Sequence, residues 1–382
     1  MPSSLGASKL FEPINVGPLK LQHRVVLAPL TRLRANKQHV ISDIAAEYYS
    51  QRGSTPGTLL ISETTFISPE AAGAPHMPGI WSDEQIAAWK RVTDAVHAKG
   101  SFIVVQLGAL GRFAVPQSLE EDGFGAVPVA PSVDSTKPFV HPLTRQEVQL
   151  HPLTKEEIAE YITMYEKAAR NAMSAGFDGI ELHVAHGDLL EQFLYDNYNQ
   201  RTDKYGGSIE NRTRFTIEAL QALTRVFGQE RVGIRLAPWS QFLGMRMADP
   251  VPTLTYLISE LKSRFPTLMY LQMVEPHMSA DNETDNAQEK DSEHDSNDFA
   301  RKMWVPRPFL SAGGYSNDVA KGIKAAEEEG VLSVWGRAFI ANPDLPVRLR
   351  KGIALNKYNR DTFYLHEKAE GYTDQPFAEE TA

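Results

Sequence analysis

Short apolar runs alternate with amphipathic stretches along most of this chain. Eight such runs, each bounded by turn residues, predict strands over 24–29, 58–65, 102–107, 177–183, 231–237, 268–274, 308–312 and 332–336. A helical period follows seven of them, near 42–53, 83–99, 155–175, 208–227, 252–264, 316–329 and 344–351, and only the sixth connection lacks a convincing helix. This alternation favours a parallel sheet, and the number of strands predicts one α/β domain over 1–382, a single (β/α)8 TIM barrel.

Two segments interrupt the alternation. Residues 111–154, rich in Pro and Val, follow the third strand, where a barrel places long loops over its catalytic face, so we expect a lid or pocket wall there. Residues 281–298 follow the sixth strand and carry eight acidic side chains and one lysine, which predicts a solvated, mobile loop. A calcium loop does not fit, because Asn286 stands where glycine is required and Ser292 where glutamate is required.

Composition narrows the class of protein. A hydrophobic content of 42% with 23% charged residues is typical of a soluble globular protein, and no apolar run approaches the ~20 residues that span a bilayer. The first residues resemble no targeting peptide, so we expect a cytoplasmic protein without a membrane partner. A net charge of −9 without a basic block argues against nucleic acid. With no cysteine, redox chemistry would need a bound organic cofactor or a metal without thiolate ligands.

The carboxyl ends of the predicted strands carry most of the candidate chemistry. Barrel enzymes place their catalytic groups at these ends and in the loops that follow. The rule selects Pro29, Leu30, Thr31, Thr64, Gln106, His183 with His186, Arg235, Gly313, Gly314, Gly336 and Arg337.

The last two strands end in SAGGYSND and WGRAFIANPD. Glycines let backbone N–H groups approach an anion, and Arg337 offers a bidentate fork, at the place where such barrels commonly bind phosphate. Alternatively, Gly313 and Gly314 cap a turn and Arg337 makes a surface ion pair. Their joint position after strands seven and eight favours phosphate.

Arg235 would point into the barrel mouth, where a buried guanidinium needs an anionic partner or several acceptors. A reduced flavin would provide one, with Gln106 and Thr31 as further polar contacts to its ring. Taken alone, Gln106 and Thr31 are more simply read as strand-end polar residues with satisfied hydrogen bonds.

His183 and His186 lie one turn of backbone apart in HVAHGDLLEQF, so both rings can face the same side. Two imidazoles could ligate a metal, but we find no third ligand at a recognisable spacing and no HExxH pattern, so we expect no metal. They could also be core or surface histidines. We favour a clamp that donates hydrogen bonds to a carbonyl or nitro oxygen on which charge develops.

With these residues in place, the chain resembles the old yellow enzyme family of flavin-dependent ene-reductases. The similarity runs from about residue 9 to 376. Family-specific matches are APLTRLRA, the HxxHG turn followed by LLEQFL, NQRTDKYGGSIENRTRF, GRAFIANPDLPVRL and LNKYNRDTFY.

The resemblance implies non-covalent FMN at the carboxyl face, reduced by NADPH, and an activated alkene whose oxygen is held by His183 and His186. Hydride would pass from flavin N5 to the β-carbon of the alkene. The absence of a strand–turn–helix with G-x-G-x-x-G agrees with a nicotinamide that only visits the flavin. The implied flavin-ring contacts are Thr31, Gln106 and Arg235, and the implied phosphate contacts are Gly313, Gly314 and Arg337.

One departure concerns the proton. The family's usual general acid is a tyrosine two residues after the second clamp residue, where this chain has Asp188. Asp188 could be an acid whose pKa burial has raised, a binding group for a cationic or hydroxylated substrate, or a solvated bystander while water protonates the carbon. In either of the last two roles, alkene reduction would be slow while quinone reduction continues. The enzyme would then act as a quinone reductase, a redox-neutral isomerase or an oxidase. A flavin-binding protein without catalysis is a third possibility, which the intact histidine pair argues against.

A second departure concerns pocket size. Gly108 stands near a position where some relatives have a bulky tryptophan, and Ala74 replaces a common tyrosine, so we expect a roomier pocket and a bulkier substrate, such as a polycyclic compound of secondary metabolism. Tyr364 would line the pocket mouth, although packing is the default role for such an aromatic. Either a monomer or a homodimer is compatible with the sequence.

Overall fold

A computed structural model of the chain describes residues 8–134, 136–276 and 295–379. Eight parallel strands close into a barrel in chain order, with the last strand paired to the first, which confirms the predicted fold. All eight lie where the apolar runs predict them. They are β1 (Val25–Leu27), β2 (Leu59–Phe66), β3 (Phe102–Gly108), β4 (Gly179–Val184), β5 (Val232–Leu236), β6 (Tyr270–Val274), β7 (Phe309–Ala312) and β8 (Val331–Trp335).

A helix follows each strand. The set is α1 (Asp43–Arg52), α2 (Asp83–His97), α3 (Lys155–Ser174), α4 (Ile209–Phe227), α5 (Val251–Arg264), α6 (Asp298–Trp304), α7 (Val319–Ala325) and α8 (Leu345–Lys351). The expectation that the sixth connection lacks a helix is therefore wrong. The seven residues of α6 are too short to give a clear helical period in the sequence. By contrast, α2 and α3 each begin with a capping box, which fixes their first turns.

The strands alternate strictly between two surroundings. On β4, Ile180, Leu182 and Val184 belong to the large apolar layer shared with the helices. Because successive side chains of a strand point to opposite faces, Glu181 and His183 face the barrel interior. The same alternation turns Arg235 inward on β5, between two residues of the outer layer.

The amino end of the barrel is closed by apolar packing. An antiparallel hairpin of Ile14–Val16 and Leu19–Leu21 lies there. Its buried side chains form one cluster with inward residues of the barrel, among them Val26, Ile61, Val104, Leu310 and Leu332. Polar inward residues are therefore concentrated toward the carboxyl end.

The segment 111–154 has short regular elements of its own. It contains a helix at Pro116–Glu121, a parallel pair of Val129–Ala130 with His151–Pro152, and an antiparallel pair of Phe139–Val140 with Glu147–Val148. Its Phe113 ring lies against Gly187 in the loop after β4. That contact places the segment beside the predicted catalytic loop, and its function as a lid stays a prediction.

Most of the acidic segment 281–298 lies outside the described residues, which resume at Asp295. Within the part of the chain that is described, no helix is both long and apolar enough to cross a bilayer.

Three buried arginines anchor the C-terminal segment beside the end of β1. Arg32, Arg34 and Arg52 donate hydrogen bonds to backbone carbonyls of residues 362–372, among other acceptors. Arg32 comes directly after Thr31, so this segment supports the loop that carries a predicted ring contact.

We expect Gly371→Ala to destabilise the protein by about 2–4 kcal/mol, because Gly371 has a φ of +64° and a methyl group there would lie 2.0 Å from Thr362 Oγ1. Gly125→Ala is the matched control, since Gly125 has a φ of +76° and an added methyl group would meet nothing within 4 Å. The control should lose only about 1 kcal/mol. Urea unfolding measures both, and equal losses would refute the steric argument.

Candidate active site

The residues predicted at the strand ends do converge at the carboxyl mouth of the barrel. Strand register pairs His183 with Arg235 and aligns Gln106 with both Thr64 and Glu181. Thr64 and Arg235 are partly exposed on otherwise buried strands, so they face an opening. Thr31 is also partly exposed, in the loop after β1.

Arg235 has an acidic neighbour that the sequence analysis did not select. Glu181 is fully buried and interacts electrostatically with Arg235. Burial raises the pKa of Glu181 to about 7, while the charge of Arg235 and a hydrogen bond from Gln106 oppose that rise. The signal was present in the sequence, because Glu181 lies two residues before His183 and a strand places such residues on one face.

A chain of hydrogen bonds fixes the amide of Gln106. Thr64 Oγ1 donates to Gln106 Oε1 at 2.5 Å, and Gln106 Nε2 donates to Glu181 Oε1 at 2.7 Å. These two bonds distinguish the oxygen of the amide from its nitrogen. One N–H of the amide remains for a further acceptor.

The two histidines lie close together, as predicted. Their ring centroids are 6.3 Å apart, with planes tilted by 46°. His186 Nδ1 lies 3.3 Å from Ser240 Oγ, and its Nε2 lies 3.3 Å from Arg235 Nη2. His183 Nδ1 is buried and has no hydrogen-bond partner in the described part of the chain. His183 therefore keeps hydrogen-bonding capacity at the mouth, whereas both ring nitrogens of His186 already have partners.

Burial, and then the charge of Arg235, lowers the pKa of both imidazoles. The pKa of His186 falls to about 3, and that of His183 falls well below its usual value. Each ring is therefore neutral near pH 7 and carries one N–H donor, whereas a charged imidazole would carry two.

We predict that neither histidine gives kcat/KM for a quinone acceptor an inflection between pH 5 and 8. Any inflection from the buried Glu181, whose pKa is raised to about 7, should therefore be the same in the wild type and in His186→Asn. Because the folded pKa of each histidine lies below the unfolded value, the unfolded chain binds more protons in that window. Stability should therefore fall as the pH drops below about 6.5. An inflection near pH 6.5 that disappears in His186→Asn would contradict the assignment of neutral rings.

Asp188 follows the histidine turn and is only 4% exposed. Its Oδ2 accepts the N–H of Ala109 at 2.8 Å, and its Oδ1 accepts the N–H of Leu190 at 3.2 Å, capping a short helix at Leu189–Leu194. The alternative that Asp188 is a solvated bystander is therefore wrong. Burial raises the pKa of its carboxyl, and both amide hydrogen bonds oppose that rise.

A second buried acid, Glu191, supports the same turn. Its Oε2 accepts the N–H of Gly187 at 2.6 Å. Burial first, and the neighbouring Asp188 carboxyl further, raise the pKa of Glu191 to about 8. The sequence analysis did not select this residue, because it lies within an apolar helical stretch that resembles core.

The predicted phosphate loops lie side by side. Ser316 Oγ accepts the N–H of Ala338, which joins the loop after β7 to the loop after β8. Gly314 has a φ of +74°, and a methyl group there would meet no atom within 4 Å, so its backbone borders open space. Gly313 precedes it, and Gly336 and Arg337 begin the helix Arg337–Ala341, with the Arg337 guanidinium 5.8 Å from the ring centre of Tyr358.

The end of β1 adjoins these loops. Pro29 is buried, and the side chain of Leu30 lies 3.4 Å from the position that a methyl group would take at Gly336. The ends of β1 and β8 are therefore in contact at the site.

The three residues predicted to contact the substrate have different surroundings. Ala74 packs beside the cluster of Phe66, Ala72 and Met77. Gly108 ends β3, next to Asp188. Tyr364 is 54% exposed, and its ring meets Phe363 edge-on. Their roles toward a substrate stay predictions.

These observations fit FMN. Arg235 Nε and His183 Nδ1 are buried without hydrogen-bond partners in the described residues, at a mouth that has a fixed cation on one side. Open space adjoins the glycine loop after β7. A planar ring with an anionic edge and a phosphate tail matches this set of groups. No cluster of three or more His, Asp or Glu side chains within the described ranges could hold a metal ion.

Comparison with known proteins gives one consistent family. The family model described as NADH:flavin oxidoreductase / NADH oxidase matches residues 9–356. The chain is 44% identical to the NADP-dependent oxidoreductase lnbE of Aspergillus flavus, over 98% of this chain and 97% of that protein. It is 43% identical to the chanoclavine-I aldehyde reductase fgaOx3 of Penicillium roqueforti, with the same coverage.

Among solved structures, the Old Yellow Enzyme from Pichia sp. AKU4542 superposes with a TM-score of 0.86 at 35% identity, covering 97% of this chain and 94% of that one. The chain therefore belongs to the NADH:flavin oxidoreductase / NADH oxidase family and, within it, to the old yellow enzymes, which makes it an FMN-dependent oxidoreductase.

Proposed function

We propose that this protein uses NADPH to reduce an electron-poor alkene, such as an enone or enal, or a quinone, and that His183 and His186 hold the substrate oxygen. One observation carries the proposal: two neutral imidazoles lie beside a fixed guanidinium at the barrel mouth. When bound, FMN would supply the redox chemistry, namely hydride uptake from NADPH and hydride donation to the β-carbon of the substrate.

The residues of this chain bind the substrate and the cofactor and stabilise the charge on both. The His183 N–H binds the substrate oxygen, the His186 N–H joins it in place of its bond to Ser240, and both stabilise the negative charge that develops there as hydride arrives. Arg235 stabilises charge at the pyrimidine end of the ring, aided by Gln106 and Thr31, with Thr64 beside them. Gly313, Gly314, Gly336 and Arg337 hold the phosphate, and Pro29 and Leu30 shape the end of β1.

The names of two relatives support the choice of reductant and substrate class. The Aspergillus flavus protein is described as NADP-dependent, and the Penicillium roqueforti protein as a reductase of chanoclavine-I aldehyde. We therefore favour NADPH over NADH and an α,β-unsaturated aldehyde or ketone as substrate. With Ala74 at the pocket and Tyr364 at its mouth, a substrate larger than cyclohexenone should fit.

Redox-neutral isomerisation is the second candidate function. It is favoured by Asp188, because both carboxylate oxygens accept backbone N–H groups and no tyrosine occupies that position. Without an efficient proton donor, hydride delivered to the β-carbon can be returned before the product is trapped.

The test compares NADPH oxidation by the yellow protein with cyclohexenone, a fused-ring enone and a para-quinone. Consumption of NADPH with formation of the saturated ketone, faster for the fused-ring enone, is the expected result. A protein that stays colourless with added FMN would exclude the proposal. Anaerobic turnover by enzyme reduced once, without NADPH, separates the candidates, since more than one equivalent of rearranged product means isomerisation.

A further inference from the structure

The end of β3 is joined to the histidine turn at one residue, Ala109. Its N–H is bound by Asp188 Oδ2 at 2.8 Å, and its carbonyl oxygen accepts the N–H of Leu189 at 2.7 Å. Ala109 is completely buried, so water does not compete for either group. Asp188 therefore ties β3 to the loop that carries both histidines.

The turn itself needs this support, because it is bent sharply. His186 has a φ of +54° and Gly187 a φ of +90°. A residue other than glycine at such a φ is strained and depends on its surroundings to stay there. Asp188 lies two residues after His186 and holds the following backbone through the N–H of Leu190. Asp188 therefore supports the turn together with Glu191, which accepts the N–H of Gly187, and Gln192, which donates to the carbonyl of Gly187.

Gly108 makes room for that carboxyl. A methyl group at Gly108 would lie 2.7 Å from Asp188 Oδ2, 2.8 Å from Thr64 Cγ2 and 3.6 Å from His183 Cβ. The Oδ2 atom has little freedom to move, since it is held by the N–H of Ala109. A side chain at position 108 and a bound carboxyl at position 188 therefore exclude each other.

We propose that Asp188 is a positioning residue that fixes the histidine turn to the end of β3, and that Gly108 and Asp188 form one unit in which each requires the other. The inference rests on the proposed function, because the turn is taken as the substrate clamp. It joins the two departures from the family pattern, the missing tyrosine and Gly108 two residues after Gln106, into one structural change. The raised pKa of Asp188 would suit a proton donor equally well, so the inference rests on geometry.

The test is a double-mutant cycle with Asp188→Ala, Gly108→Ala and the double variant. The first readout is the affinity for 4-hydroxybenzaldehyde, whose phenol oxygen should occupy the substrate-oxygen position, followed by the absorbance of bound FMN. The second is hydrogen exchange across 183–191, which needs no turnover. Ser82→Ala is the control, because it likewise removes a side chain that caps a helix, here through the N–H of Gln85 on α2.

We expect Asp188→Ala to weaken phenol binding at least tenfold, to speed exchange across the turn, and to slow quinone and enone reduction by similar factors. Gly108→Ala should weaken binding at least fivefold in the wild type and less than twofold in the Asp188→Ala protein. Asp188→Asn, which keeps one acceptor oxygen, should fall between the wild type and Asp188→Ala, and Ser82→Ala should leave binding unchanged.

Several results would overturn the inference. If Asp188→Ala slows only enone reduction and leaves phenol binding and exchange unchanged, Asp188 is a proton donor. If Gly108→Ala weakens phenol binding by the same factor in the wild type and in Asp188→Ala, the added methyl group acts on the pocket. If adding Thr64→Ser to Gly108→Ala restores phenol binding, the added methyl group acts on Thr64. A wild type that binds the phenol but reduces no alkene refutes the proposed function alone, since binding and exchange still test the pair.

Discussion

Arg235→Ala should weaken FMN binding about 100–1000-fold. A hydrogen bond from a charged group contributes about 1.5–3 kcal/mol, and leaving a buried acceptor without its donor costs about 1–3 kcal/mol more. Here the group that loses its cation is the pyrimidine end of the flavin. The substitution should not unfold the protein, although it leaves the buried Glu181 without its cation. The pKa of Glu181 is already raised to about 7, so this acid can take up a proton and become neutral.

The flavin that remains bound should also be harder to reduce. Without a fixed cation, the extra negative charge of the reduced ring is less stable, so the midpoint potential should fall by about 30–60 mV, equivalent to about 1.4–2.8 kcal/mol for two electrons. Fluorescence titration with FMN and a potential measured against a reference dye test both expectations. Arg225→Ala is the matched control, because Arg225 is exposed and forms a surface ion pair with Glu166 between the helices α4 and α3.

An Arg235→Ala protein with wild-type FMN affinity and potential would mean that Arg235 serves the barrel and not the cofactor. In that case Glu181 and His186 would be its functional partners.

The second large effect concerns the histidine pair. His183→Ala and His186→Ala should each lower the rate of hydride transfer to an enone about 100–1000-fold, which is the loss usually seen when one donor to a developing oxyanion is removed. FMN content should stay at the wild-type level. The double variant should lose far less than the product of the two single losses, because both rings bind one oxygen.

Stopped-flow measurement of flavin reoxidation separates this step from reduction by NADPH. His97→Ala is the control, because His97 lies at the end of α2 and pairs with Asp178. If both single variants reoxidise at the wild-type rate with an enone, the pair does not hold the substrate, and the proposed mechanism loses its central element.

The order of residues along the chain is enough to predict the barrel. Each buried strand reads as a short apolar run because both of its faces are covered, and the two capping boxes show where α2 and α3 begin. Position along the chain also predicts most of the residues at the mouth, because a residue at the carboxyl end of a barrel strand must lie there. For this reason the order of residues alone is enough to select His183, Arg235 and the glycine loops.

What those groups contact depends on the folded barrel and cannot be predicted from the order of residues. Spacing along the chain gives the face of a side chain but not its neighbours on other strands, so Glu181 was not recognised as the acid beside Arg235. The same reason left Asp188 undecided, because the N–H that binds its carboxyl belongs to Ala109, 79 residues away. Hydrogen bonds between distant segments form only once the barrel closes, and they determine whether a carboxyl donates a proton or holds a turn.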